Sequence, residues 1–415
     1  MKTDWKTAFS YWFVHFAVEV ICFYTIYRLF SGGTYWWMFG LLYDTLAFAP
    51  QSIIGSFCEK HPKFRPGPAG GILLMAGSAV MLLGAVFMTG YSGTQAAGTG
   101  SVQILLSSEA LAGVANIPLL LTVEMVGLVL LTAGNCLEHI SGALVTLRVS
   151  DGRLAESAIF VGGGSFGVIT GRLLSKTAGV AWIPFVLMAA ATLVTVAVDR
   201  RLMSAGCEAG AAGTPETASA AVPGHKKSST EYSLFDFEQN PCLHNIAAER
   251  SDIAIIVILG LVVVVRSYIG YGLPTAWNQS TIQTICLFCF MGLGKMLGGI
   301  FSDLLGPRRV GIFTCLAAIP LLLVSNHIMW LSLIAVALFS MTMAITLGGL
   351  VSVLPHNPGI AFGITTIGLL VGSLPTFFWG MPGRTVCNIL IAVMSVLAAA
   401  GLWYCLKPDE KHSKL

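Results

Sequence analysis

Seven ionisable side chains stand inside otherwise apolar runs of this sequence: His15, Glu19, Asp44, Glu138, His139, Arg266 and Lys295. A charge at bilayer depth is costly, so such groups are kept to carry protons, bind ions or pair with one another. His15 and Glu19 are four residues apart and share one helix face. Glu138 and His139 follow Asn135 within one run, and Arg266 interrupts the valines at 262–265. Every acid of the set lies in the first half of the chain and both bases in the second. A carboxylate in a low-dielectric site takes up a proton close to neutral pH, and a histidine or arginine beside it lets protonation compete with ion pairing. The pattern points to proton coupling by Glu19, Asp44, Glu138, His15 and His139, with Arg266, Lys295 and Asn135 contacting substrate or forming a gate. The plainer reading is a set of fixed salt bridges and helix-to-helix hydrogen bonds.

The elements that must position these groups follow from composition. The chain has 415 residues, 55% hydrophobic and 10% charged, with a mean hydropathy of +0.79. A soluble domain carries about 25% charged residues, so this surface is not built for water. Apolar runs of about 20 residues, the length that crosses a bilayer core, recur along the chain. They predict twelve spans, at 7–29, 35–58, 70–90, 119–147, 153–174, 178–199, 251–275, 280–303, 309–326, 328–353, 358–380 and 384–406. Between the sixth and seventh, residues 206–230 are rich in Ala, Gly, Thr, Ser and Pro without helical periodicity, as a flexible linker is. The expected fold is an all-α polytopic membrane protein. Its twelve transmembrane helices form two pseudo-repeated six-helix bundles, 1–201 and 251–415, around a central cavity, joined by a cytoplasmic linker over 202–250.

Basic residues set the topology. With both termini on one side, that side holds seventeen of the 23 Lys and Arg, and the opposite side holds only Arg28, Arg172, Lys176 and Arg384. Such a bias places the base-rich end, and both termini, in the cytoplasm of a multi-pass protein of the cytoplasmic (inner) membrane. The first half carries a surplus at 91–116, a Gly/Ser/Thr-rich external loop that reads as a tolerated insertion or as a lid. No signal peptide is recognisable, since Lys2, Asp4 and Lys6 lead straight into the first span. Most of the ten cysteines lie in apolar runs, and Cys286-x-x-Cys289 has no second pair at metal-site spacing. Neither a cofactor nor a metal is expected. Glu124 and Arg172, near the outer ends of their spans, should reach water.

Residues 294–309 carry a motif in which an apolar, glycine-dotted helix ends in Asp303, a Gly306-Pro307 break and the pair Arg308-Arg309. A weaker copy runs through Gly55, Glu59, Lys60 and Lys63, with His61-Pro62 in place of the tight glycine turn. Two acid-then-basic turns, after the second and eighth of six plus six spans, resemble the major facilitator superfamily over the whole chain. The signature Gly-x-x-x-Asp-Arg-x-Gly-Arg-Arg is matched at Gly299, Asp303, Gly306, Arg308 and Arg309, with Leu304 for a base and Pro307 as a further departure.

The resemblance implies that spans one, four, seven and ten line the cavity and that the motif is a cytoplasmic latch. By depth, Arg266 would stand level with Asp44 or Glu19, and Lys295 with Glu138. Gly163, Gly167 and Gly171 form a small-residue stripe for close helix packing. The stripe is similar to the glycine motif of the family's antiporters, although Val168 stands where that motif has proline. A looser similarity to the fosmidomycin-resistance exporters rests on His15, Gly134-Asn135 and His139.

The function implied is proton-coupled secondary transport of a small organic solute by a monomer in a lipid bilayer, leaning to efflux by antiport. Its partners would be substrate and protons, with no nucleic acid. Uptake of an organic anion by proton symport is the alternative, as is a sensor or scaffold on the same fold. Trp12, Phe16, Tyr24, Tyr268 and Tyr271 are candidate cavity aromatics. An enzyme is disfavoured: the sequence has no Gly-x-Ser-x-Gly elbow, no phosphate-cradling Gly-Lys loop and no His-Glu-x-x-His motif.

Overall fold

The computed structural model describes residues 4–31, 36–89, 114, 116–211, 234–238, 241–272, 275–324, 327–379 and 383–408. Most of the 91–116 insertion, and residues 212–230 of the linker, lie outside the described residues. Among those described there are fourteen α-helices and no strand, only an isolated bridge between Ala247 and Leu406. The helices are α1 (Trp5–Phe30), α2 (Trp36–Phe48), α3 (Gln51–Lys60), α4 (Pro66–Thr89), α5 (Ile117–Val149), α6 (Ala155–Leu174), α7 (Trp182–Ala211), α8 (Asp252–Gly272), α9 (Thr281–Leu305), α10 (Pro307–Val324), α11 (Met329–Ser340), α12 (Thr342–Val353), α13 (Pro358–Phe378) and α14 (Arg384–Cys405). Eleven segments are long and apolar enough to cross a membrane, with α11 and α12 counted as one. The broken pair α2–α3 supplies the second span, which makes twelve. The sixth-span helix runs on to Ala211, past the boundary expected near residue 199.

Pro50 divides the second span. It has no N–H for the carbonyl four residues back, so the helix ends and restarts. The carbonyls freed at the break are taken by side chains: the Cys136 thiol donates to the oxygens of Leu46 and Ala47 at 3.5 and 3.0 Å, and Thr366 Oγ1 donates to Phe48 at 3.2 Å. Gln51 Nε2 donates back to Ala47 at 2.7 Å. Backbone bonds left open in lipid cost several kcal/mol each, which is why a break here needs these partners.

The molecule is apolar outside and partly polar within. Phe87, Ile253 and Ile53 are each at least 74% exposed, whereas His15, Glu19, Asn135, Glu138 and Arg266 are all buried. The first six spans and the last six repeat their packing: α1 lies along α6 and α4 along α5 in the first set, α8 along α13 and α10 along α11 in the second. The sets meet where α6 packs on α9 and α3 on α13.

The glycine stripe of α6 lies against α1. A side chain at Gly163, Gly167 or Gly171 would overlap the carbonyls of Trp12, Phe16 and Val20 respectively. Gly294 and Gly298 seat α9 in the same way on Ala337 and Met341, at the α11–α12 junction. Overpacking of this kind costs about 1–3 kcal/mol or more. Gly167→Leu is therefore expected to lower the melting temperature of the detergent-purified protein by several degrees. Gly260→Ala, whose added carbon meets only Ile364 at 3.8 Å, is expected to leave it unchanged.

Candidate functional site

A cavity of about 370 Å³ lies between the two sets of spans, lined by His15, Glu19, Asp44, His139, Arg266 and Lys295. Six of the seven deep ionisable groups thus face one space, although they come from α1, α2, α5, α8 and α9. Phe23, Tyr27, Phe48, Tyr271, Phe288 and Phe362 supply aromatic walls. Of the candidate aromatics only Tyr271 is among the lining residues. Trp12 and Phe16 instead stack on each other, with ring centroids 5.7 Å apart.

Three side chains converge at one wall. His15 Nδ1 donates to the carbonyl of Phe160 and His139 Nδ1 to that of Asn135, each at 2.9 Å. The two Nε2 atoms are 2.9 Å apart, and Glu19 Oε1 lies 3.6 Å from that of His15 and 3.2 Å from that of His139. No metal site was expected from the sequence, yet these three groups lie close enough together to share one cation. The spacing of four signalled the His15–Glu19 pair; the family resemblance put His139 in the same space, but no sequence feature placed the three in contact.

The bases are held differently. Lys295 Nζ donates to Ser165 Oγ at 2.9 Å, a partner on α6 that the sequence did not single out. Arg266 is 7% exposed, and neither of its terminal nitrogens has a hydrogen-bond partner among the described residues. Its side chain lines the cavity and takes part in none of the described ion pairs.

Glu138 and Asn135 are not part of this space. Adjacent helical residues point about 100° apart, so with His139 turned inward Glu138 faces α4, where Gly70 makes room for it. The expected level pairing of Lys295 with Glu138 does not occur. Asn135 Nδ2 donates to Tyr43 Oη at 3.2 Å, inside the first set of spans. Glu124 is 1% exposed rather than water-facing, while Arg172 lies over the Tyr27 ring at 5.3 Å.

The base-rich end is closed by two matching contacts. Asp303 accepts from the N–H groups of Leu154 and Ala155 at 2.8 and 2.9 Å, at the start of α6. Glu59 Oε1 accepts from the N–H of Gly359 at 2.6 Å, at the start of α13. Each motif acid thus caps the positive end of a helix in the other set of spans. Gly299 against Leu154 and Gly55 against Gly359 permit the approach, since a side chain at either would overlap backbone. Gly306, at φ +95°, turns the chain after α9 so that Pro307 can open α10. Arg308 then lies over Trp403 at 5.0 Å.

The end of the linker straps the same face. Leu234, Phe235 and Phe237 are buried. Arg148 donates to the carbonyl of Asp236 at 3.2 Å and Cys242 Sγ to that of Leu147 at 2.8 Å, both in the first set. In the second set, Cys242 N–H donates to Pro355 and His356 Nδ1 to Phe237, each at 3.1 Å.

The backbone resembles solved transporters over nearly its full length. The fucose:proton symporter FucP of E. coli, described in the outward conformation, matches with a TM-score of 0.60 at 12% identity, covering 96% of this chain and 97% of that one. A bacterial homologue of the iron transporter ferroportin, in an outward-facing state with soaked iron, matches with a TM-score of 0.59 at 10% identity over 97% and 98%. This is the major facilitator superfamily fold. No family model matches the sequence, and no curated protein does.

Two outcomes follow. Asp303→Asn and Glu59→Gln each weaken a charge-assisted contact, so each is expected to raise the population open at the base-rich end about tenfold, or about 1.4 kcal/mol. Maleimide labelling of Cys58, buried beside the seal, in a background with the other cysteines replaced, reads that population. His244, in the strap outside the spans, is held down to about 4 by burial, against an ordinary value of 6.5. A depressed value favours the neutral ring in the closed form, so the strap is most stable above pH 6.5 and weakens as pH falls from there toward 4. Labelling of the buried Cys242 is expected to accelerate over that window, and His244→Gln to flatten the profile.

Proposed function

We propose that the protein is a secondary active transporter that moves a small organic anion together with a proton by alternating access. The base-rich end would lie in the cytoplasm of an inner membrane. The observation that carries this reading is Arg266: a buried guanidinium without a partner, facing a cavity. Such a group costs several kcal/mol unless something anionic arrives to meet it. Lys295, on the next span, adds a second positive charge to the same walls.

The coupling group is Asp44. It lines the cavity and takes part in none of the described ion pairs. With Asp44 ionised, the two cavity carboxylates balance Arg266 and Lys295. Once Asp44 is protonated the walls carry a net positive charge, and an anion binds more tightly. Proton and anion therefore favour each other's binding, which is the requirement for symport. This electrostatic argument supports symport over the exchange suggested by the glycine stripe of α6. That one of the fold neighbours is named a fucose:proton symporter supports this reading. The two sets of spans would rock about the cavity, breaking the Asp303 and Glu59 caps as the base-rich end opens.

Proteoliposome transport with a panel of small carboxylates tests the proposal. Arg266→Gln is expected to raise the half-saturation concentration tenfold or more. Asp44→Asn is expected to abolish accumulation driven by a pH gradient while leaving solute counterflow intact. Unchanged transport in both variants would overturn the assignment, and no flux of any anion would favour the sensor or scaffold reading.

A further inference from the structure

The wall formed by His15, Glu19 and His139 is built more specifically than the binding of an organic anion requires. Carbonyl oxygens only accept hydrogen bonds, so the contacts from Phe160 and Asn135 require a hydrogen on each Nδ1. In the neutral ring each Nε2 then carries a lone pair, and the two lone pairs face each other 2.9 Å apart, with the Glu19 oxygen beside both. Three Lewis bases directed at one another repel unless a proton or a metal cation sits among them, and their arrangement brings all three to bear on one point. We propose that this cation is a divalent transition-metal ion, and that His15, Glu19 and His139 form a metal-binding site.

The dimensions fit. The three donor atoms define a triangle with sides of 2.9, 3.2 and 3.6 Å, and the circle through them has a radius of about 1.9 Å. An ion slightly out of their plane therefore reaches all three at about 2.1 Å, the usual metal–imidazole and metal–carboxylate distance. The backbone bonds on both Nδ1 atoms are the supports that metal-bound histidines have, fixing tautomer and ring orientation. The rings are held edge to face, 78° apart, which aims each nitrogen from a different side.

Access is provided by Gly164 on α6, where any side chain would cover His15 Nε2. All three ligands line the cavity, so the remaining coordination positions open toward it. Two imidazoles and one carboxylate select borderline ions such as Fe²⁺, Mn²⁺, Co²⁺ or Zn²⁺. They do not suit Ca²⁺ or Mg²⁺, which take oxygen ligands, or Cu⁺, which takes sulfur. Asp44, though in the same cavity, is not a member of the cluster.

Titration of the purified full-length protein with Co²⁺, followed by calorimetry and by the visible absorption of the bound ion, tests the site without any transport step. One Co²⁺ per chain is expected, displaced by Zn²⁺. His139→Gln, His15→Gln and Glu19→Gln are expected to weaken binding ten- to a hundredfold, and Glu124→Gln, outside the cavity, to leave it unchanged. Added metal should also raise the melting temperature of the wild type and not that of His139→Gln, a comparison that stands if another variant fails to fold. Absence of stoichiometric binding, or equal affinity in His139→Gln, would overturn the site. Neither result bears on Arg266 and anion transport, which the proteoliposome variants address separately.

Discussion

A polar group at membrane depth has no water to fall back on, and most of the internal architecture follows from that constraint. Where the second span breaks at Pro50, the Cys136 thiol and the Thr366 hydroxyl take the open carbonyls. Where two histidines enter the interior, their Nδ1 atoms are fixed to backbone. Among the described residues Arg266, Glu124 and Glu138 are buried with no hydrogen-bond partner for their terminal atoms, and of the three only Arg266 lines the cavity. On the proposed reading a buried cation in that state awaits an anionic partner, and the lysine and carboxylates of the same cavity tie its binding to a proton.

The seal at the base-rich end uses the opposite strategy, in which Asp303 and Glu59 each have a backbone partner that can be given up. Asp303 and Glu59 hold helix N-termini of the other set of spans rather than basic side chains. A carboxylate on backbone N–H groups can leave without stranding a buried cation, because the freed N–H groups lie at a helix end near water. Glycines at 55, 299 and 359 make the contact close but apolar in its surroundings, which suits a joint that forms and parts repeatedly. The strap from Leu234 onward adds contacts to both sets of spans, so it must yield whenever that end opens.

Much of this was legible in sequence because the bilayer imposes period and length together. All twelve spans fall within a few residues of the hydropathy reading, apart from the extension of α7 and the internal breaks of the second and tenth spans. The family resemblance implied a shared space for His15, Glu19, Glu138, His139 and Arg266, and all but Glu138 line the cavity. Which face of α5 turns inward was not: Glu138 and His139 are neighbours in sequence, and only packing against α4 and Gly70 decides that the acid turns away. Ser165 gave no signal, being one small polar residue in a glycine-rich helix. The metal-capable triangle depends on two histidines in different helices, and no spacing rule reaches across such a gap.

The central claim is that anion and proton occupy the cavity together. Calorimetric titration of the purified protein with its anion, repeated in buffers of different ionisation enthalpy, measures the protons exchanged on binding. About one proton taken up per anion bound, abolished in Asp44→Asn, is the result this account predicts. Binding with no proton uptake, or with proton release, would contradict it.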